Sequence, residues 1–363
     1  MRTSILETIQ CPGCGATGDF GCQADQSNDT EIREGRIRCN GCGASFGIHA
    51  GVMALLIDGE IREEVTREAE GWTQVYGGWF DLTGEKSNFW LIEPDNAETE
   101  GITSDEFIRR LPHFDRIGPS FQEREGYKIQ SYHELLEFAD IREGDRLLEL
   151  GAAKCWTVRD FARRGCRCVA TEIVTTKYVG LETSDIYFEE DPQLYWERVR
   201  CDMEDLPFAP ESFDIVFCNA VLHHSKDPAK ILRGIWNALA PGGRLLIVNE
   251  PDYGLYDKRR HRQSQIEETA TGANENLYNQ RFFVRELRRI GFQTDFRPYL
   301  WLVKFYAWRI YEYSKRYGVK EHKRQQEIED WLLRHDKLAR YLIGLGTMGV
   351  ATKPATAKKA VNG

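Results

Sequence analysis

The sequence predicts an α/β protein: a doubly wound sheet with a cysteine-rich segment before it and a helical insertion near its end. Three observations predict this. Between Tyr127 and Pro298, short apolar runs alternate with amphipathic stretches at the spacing of strand and helix. Each run ends in a polar residue, as strands of a parallel sheet do where their carboxyl ends gather functional groups. Two Cys-x-x-Cys-Gly knuckles precede this region, too far upstream to belong to it.

The knuckles come first in the chain. Cys11-Pro-Gly-Cys14-Gly and Cys39-Asn-Gly-Cys42-Gly are separated by 24 residues, and each offers two thiolates to one ion while its glycine permits the tight turn. Four thiolates suit zinc in a closed tetrahedral site that folds a segment too short for a core of its own; a rubredoxin-like iron site uses the same ligands. His49 adds nothing to a site already complete. Residues 1–58 are therefore expected to be a zinc ribbon. Of the other thiols, Cys22, Cys166, Cys168, Cys201 and Cys218 read as core residues, and Cys155 as the exception.

Residues 59–126 read as a connector and possible lid, with an acidic helix-like stretch followed by Trp72, Tyr76, Trp79, Phe80, Phe89 and Trp90. From 127 to 354 the sheet domain follows. Arg146–Leu150, Cys168–Glu172, Phe213–Asn219 and Arg244–Glu250 are its expected strands, and Thr157–Arg164 and Pro228–Ala240 expected helices. Their carboxyl ends are Glu149, Glu172, Asn219 and Glu250. Residues 300–345 form a helical insertion, after which Thr347 to Pro354 returns as a last, antiparallel strand, and 355–363 is a frayed tail.

Composition bounds the function. The 363 residues allow two or three domains, with 41% hydrophobic and 29% charged residues in keeping with a soluble globular protein. No apolar stretch reaches the ~20 residues of a membrane span, and the start lacks a secretory signal, so a cytoplasmic location is expected. A net charge of -9 argues against nucleic acid as the main partner, although 256–345 carries 19 Lys and Arg against 12 Asp and Glu.

The turn Glu149-Leu-Gly151-Ala152-Ala153-Lys154-Cys155-Trp156 follows the first strand and opens a helix, where a ligand can approach bare backbone. Its single glycine fits a dinucleotide poorly, since a pyrophosphate wants GxGxxG. S-adenosylmethionine (SAM) has no phosphate but still needs that approach and an acidic residue about 20 positions on for its ribose hydroxyls. Glu172 lies 21 residues after Gly151. Arg200-Cys-Asp202-Met203-Glu-Asp-Leu-Pro-Phe208 then offers a carboxylate to the adenine amino group and an apolar neighbour to its face.

In these residues the chain resembles class I SAM-dependent methyltransferases, which implies a seven-stranded Rossmann-like sheet, and particularly the ubiquinone and menaquinone C-methyltransferase branch. The resemblance covers roughly 130–250, including ELGA, DxxxLPF, FDIVFCNAVLHH and LAPGGRLLIVNEP. It implies that Glu149 and Gly151 to Ala153 hold the methionine portion, Glu172 with Ile173 the ribose, Asp202 and Met203 the adenine, and Asn219 the loop beside the sulfonium. The family's GxGxG is GAAKC here, so Lys154, Cys155 and Trp156 reshape the loop. The ribbon is similar to the zinc-ribbon activator subunit of tRNA methyltransferases, here fused in cis.

Each site residue also has a structural reading. Glu149 and Glu172 as loop caps, Asp202 as a surface acid, and His223 and His224 as loop histidines. The functional reading makes His224 the general base that takes a hydroxyl proton, with His223 as the fallback and Glu250 a weaker candidate. After the fourth strand stands Asn219-Ala-Val-Leu, not the N/D-P-P-Y motif of exocyclic base methylation. The expected reaction is methyl transfer to a small-molecule, glycan or lipid-linked acceptor, at oxygen; an rRNA guanine methyltransferase and a non-catalytic SAM-binding regulatory subunit are the alternatives. Residues 300–317 are aromatic and basic together, which suits either a helix packed over the site or at a subunit contact, or peripheral membrane contact.

Overall fold

The computed structural model describes residues 1–57, 60–77, 103–112, 119–255, 274–276, 278–317 and 324–355. Most of the aromatic connector (Trp79, Phe80, Phe89, Trp90), the side chain of Tyr76, and the tail from 356 on lie outside the described residues. The N-terminal segment folds as β1 (Phe20–Ser27), β2 (Ile32–Cys39), β3 (Ser45–His49) and β4 (Val52–Ala54), followed by α1 (Glu60–Gly77), α2 (Ser104–Arg110) and α3 (Pro119–Leu136). The alternating region comprises β5 (Arg146–Leu150), α4 (Trp156–Arg163), β6 (Arg167–Glu172), α5 (Ser184–Glu190), β7 (Glu197–Arg200), β8 (Phe213–Asn219), α6 (Pro228–Ala238) and β9 (Leu239–Glu250). Then come α7 (Gln280–Ile290), β10 (Gln293–Arg297), α8 (Leu300–Arg316), α9 (Gln325–Arg334), α10 (Asp336–Ile343) and β11 (Thr347–Thr352).

The strands form one sheet in the order β1-β2-β3-β4-β7-β6-β5-β8-β9-β11-β10. Strands β5 to β9 are parallel, and β11 runs antiparallel between β9 and β10. The expectation of a seven-stranded sheet beside a separate ribbon is corrected here: β4 pairs in parallel with β7, so the cysteine-rich hairpins extend the sheet to eleven strands. The pleat explains why the central strands are apolar throughout. Leu147, Ala170, Ile215 and Leu246 enter the core on one face, while Leu148, Val169, Val216 and Leu245 enter the core on the other.

Helix α6 shows how local sequence fixes an element. The Asp227 side chain accepts from the Lys230 backbone N–H at 3.0 Å and Pro228 occupies the first turn. Ile231, Leu232, Ile235 and Ala238 then bury one face before Leu239 enters β9. The helical insertion has its own small core of Val303, Ala307, Ile328, Leu332, Ala339 and Leu345. Among the described residues no helix is long and apolar enough to cross a membrane.

A buried charge network ties the hairpins to the sheet. Arg198 of β7, fully buried, pairs with Glu31 at 2.5 Å and Asp185 at 2.7 Å, and Arg33 adds bonds to both carboxylates. Burial alone would raise the Glu31 carboxyl, but Arg198 and the Met1 ammonium, 2.7 Å from it, together outweigh burial and hold Glu31 down at about 2.

Candidate active site

Strand order reverses between β5 and β8, so the carboxyl ends of these neighbours flank a crevice. On one side β5 ends in the Glu149–Gly151 turn. Gly151 has φ +66°, and a Cβ there would overlap Val221 Cγ2 across the crevice, so only glycine lets the two loops approach. Ala153 and Cys155 also take positive φ, 42° and 58°, holding the GAAKC loop in a shape that L residues adopt at a cost. Glu149 is 1% exposed and accepts from the Thr157 hydroxyl, while its Oε2 has no hydrogen-bond partner among the described residues. Burial pushes its carboxyl up to about 8.

Glu172 ends β6 beside this loop. Its carboxylate accepts from the backbone N–H groups of Ile173 at 2.7 Å, Val174 at 3.3 Å and Ala153 at 3.2 Å, which joins the second strand end to the first loop. Burial raises its pKa against those bonds. Asp202, just past β7, accepts from the Glu204 N–H at 2.8 Å and is likewise raised by burial, with Met203 packed partly buried beside it. Asn219 ends β8 and accepts from Asn249 Nδ2 at 2.9 Å. Two loop residues turn away. Cys155 is fully buried, a correction to its reading as the exceptional thiol, and the Trp156 ring meets Tyr132 edge-on at 5.1 Å. Cys22, read as core, is instead exposed, because β1 is the outer strand of the sheet.

The two histidines part company. His223 is 6% exposed, and its Nδ1 lies 2.8 Å from Glu250, which also accepts from the N–H groups of Val221 and Leu222 at 2.7 Å. Burial opposes both charges, but their attraction outweighs it, raising His223 and lowering Glu250. His223 and Glu250 thus form a buried pair that pins the loop after β8. His224 is more open. Its Nδ1 lies 2.9 Å from the Asn274 carbonyl and 3.1 Å from Glu275, so this nitrogen carries the proton and Nε2 is the basic one. His223, His224 and Glu275 lie close enough to hold a metal ion, but the carbonyl facing His224 Nδ1 requires a donor there, not a metal-ligating lone pair.

Helix α1 closes this side. Trp72 meets the His224 ring edge-on at 4.5 Å, and Glu68 accepts from Asn274 Nδ2 at 2.6 Å. Burial pushes Glu68 up to about 6, and it feels the charges of both His224 and Asp202. A cavity of about 590 Å³ runs between α1 and the strand end, lined by Thr66, Thr73, Ile173, Val174 and Arg200. Sequence reasoning missed Glu68, Asn274 and Glu275. Only Glu68 had a signal, its i,i+4 spacing to Trp72 on the acidic stretch.

At the far end of the sheet, Cys11 and Cys42 have sulfurs 3.7 Å apart and Cys14 and Cys39 3.6 Å apart. All four ligand atoms lie within 4.8 Å of one another. A tetrahedral ion with Zn–S of about 2.3 Å separates its sulfurs by about 3.8 Å, so the cluster has the size for zinc.

Comparison with known proteins agrees with this geometry. Residues 148–247 match the family model described as a methyltransferase domain. A malonyl-[acyl-carrier protein] O-methyltransferase of Erwinia billingiae is 25% identical over 37% of this chain and 50% of its own. A ubiquinone biosynthesis O-methyltransferase of Neisseria meningitidis is 30% identical over 38% of this chain and 60% of its own. A tRNA U34 carboxymethyltransferase of Campylobacter curvus is 42% identical over 12% of this chain and 15% of its own. The chain thus spans from a sixth to three fifths of these relatives' lengths. The matched segment is similar to the methyltransferase domains of these SAM-dependent enzymes.

The chain's own residues fit that cofactor. The buried, unpartnered Oε2 of Glu149 awaits a cationic donor, the Gly151 turn leaves backbone bare, and Glu172 stands beside both.

Proposed function

We propose that the chain is a SAM-dependent methyltransferase acting at a hydroxyl of a small-molecule, glycan or lipid-linked acceptor, with zinc fixing its N-terminal hairpins. The observation that carries this is the meeting of Glu149, Gly151 and Glu172 where the strand order reverses. Bound SAM supplies an electrophilic methyl group on a sulfonium. Glu149 Oε2 accepts from the methionine ammonium, which also restores its charge; Glu172 accepts from the ribose hydroxyls; Asp202 and Met203 take the adenine. Gly151 to Ala153 hold the methionine portion with Glu149, and Asn219 belongs to the loop beside the sulfonium.

His224 takes the acceptor proton at Nε2, because the Asn274 carbonyl and Glu275 hold its other nitrogen protonated. His223 does not share this role, since it is buried, with Glu250 at its Nδ1 and Glu275 facing its Nε2 at 3.5 Å. Trp72 and the rest of α1 shield the histidine from water. Oxygen as the acceptor atom accords with the two O-methyltransferase relatives. The lipid-linked option is supported by α8, which exposes Phe305, Trp308, Ile310 and Tyr313 beside Lys304, Arg309, Lys315 and Arg316. Four thiolates leave a zinc ion no open position, so it serves folding and not chemistry. A reducing, cytoplasmic setting accords with ten unpaired thiols.

Radiolabelled SAM incubated with the protein and fractionated cell extract tests the proposal. Label should enter a small-molecule, glycan or lipid fraction. Label in RNA, weakened by salt, would favour the second reading, for which the tRNA-modifying relative speaks. SAM binding with no transfer to any fraction would leave a regulatory subunit.

A further inference from the structure

Away from the crevice, α7 and α10 face each other across two adjoining cavities, of about 240 and 600 Å³. The smaller is walled by the turn 252–255 beyond β9 and by the start of α7; the larger by α7, β10 and α10. Gln280, Arg281 and Arg340 line both.

Two of these residues are left unsatisfied. Arg340 and Gln280 are each 6% exposed. Arg340 Nη1 donates to the Gly346 carbonyl at 2.7 Å and lies 3.5 Å from Asp252, but among the described residues its Nε and Nη2 have no hydrogen-bond partner, and neither has Gln280 Nε2. Asp336 stands 3.7 Å from Nε, beyond hydrogen-bond reach. Three buried donor nitrogens without acceptors in one wall are a cost that folding alone does not explain.

The charge around them has one sign in excess. Arg281, Arg285 and Arg288 repeat along one face of α7, and Lys337 faces them from α10. Five cations line the two cavities against three carboxylates: Asp252 is engaged by the Leu345 and Gln280 N–H groups, both at 3.3 Å, Asp295 by Arg297 at 2.7 Å, and Asp336 faces Arg340 at 3.7 Å, while Arg285 also donates to Glu286 at 3.1 Å. The start of α7 adds the positive end of an eleven-residue helix.

We propose that these cavities form a binding site for a phosphorylated small molecule. Its phosphoryl oxygens accept from Arg340 and Gln280, and Arg281, Arg285 and Lys337 balance the remaining charge. A phosphoryl group presents several acceptor oxygens to a guanidinium fork and its neighbours, which matches the unsatisfied set. The site does not depend on the methyl-transfer reading.

Inorganic pyrophosphate titrated into the full chain by calorimetry, at constant ionic strength, is the test. Saturable binding of one pyrophosphate per chain is expected, weakened about tenfold or more by the double substitution Arg281→Gln/Arg285→Gln at surface positions, with SAM affinity unchanged. Arg340→Met should abolish it; because that residue also holds Gly346, circular dichroism checks the fold, and Gln280→Leu gives a second buried probe with the same expected loss. No saturable heat, or affinity unmoved by the double substitution, overturns the site. Loss of SAM binding alone would count against the methyltransferase reading and leave this one standing.

Discussion

At the scale of single residues, the crevice holds ionisable groups whose charge its burial leaves unsettled. Glu149 binds its proton up to about pH 8 in the fold but only to about 4.3 when unfolded. Between these values the folded state holds more protons, so stability should fall as pH rises through the window. Glu149→Gln should flatten that slope; urea midpoints from pH 5 to 8 measure it, and an unchanged slope would contradict the assignment. His224→Ala should lower turnover by roughly 10²-fold with SAM affinity intact, partly relieved at high pH where the acceptor hydroxyl ionises unaided. Full activity across that range would leave catalysis to positioning alone. His223→Ala should instead release Glu250 and lower stability and SAM affinity together, as expected of a pin and not of a base.

At the scale of elements, legibility followed burial. Strands β5, β6, β8 and β9 were readable because both faces are covered and their sequences are apolar. Strand β7 was not, since Glu197-Arg-Val-Arg200 carries three charges; its Arg198 is buried only because Glu31 arrives from 167 residues away. The same limit hid Glu275 and Asn274, which reach His224 from a distant loop, whereas Glu149, Gly151, Glu172 and Asp202 sit at strand ends with local signatures. The cysteine knuckles announced their cluster but not that its hairpins would join the sheet. Cys39→Ser should release one zinc per chain and loosen β1 to β3, while SAM affinity stays within a few-fold; elemental analysis finding no zinc in the unmodified protein would contradict the ribbon.

At the scale of the whole molecule, one sheet of eleven strands joins the four-cysteine cluster at one end to the helical insertion at the other, with the crevice between. The joint at β4 and β7 depends on the Glu31, Arg198 and Asp185 network. Removing one partner of a buried pair strands the other, so Glu31→Gln should cost about 3–5 kcal/mol, read from denaturant unfolding. The central claim concerns the crevice itself, and calorimetric titration of SAM into the native chain and into Glu172→Ala tests it most directly. One SAM per chain is expected, with affinity weakened by about 1.5–3 kcal/mol in the variant through lost charge-assisted hydrogen bonds to the ribose. A native chain that binds no SAM, or a Glu172→Ala variant that binds it as tightly as the native chain, would contradict the central claim.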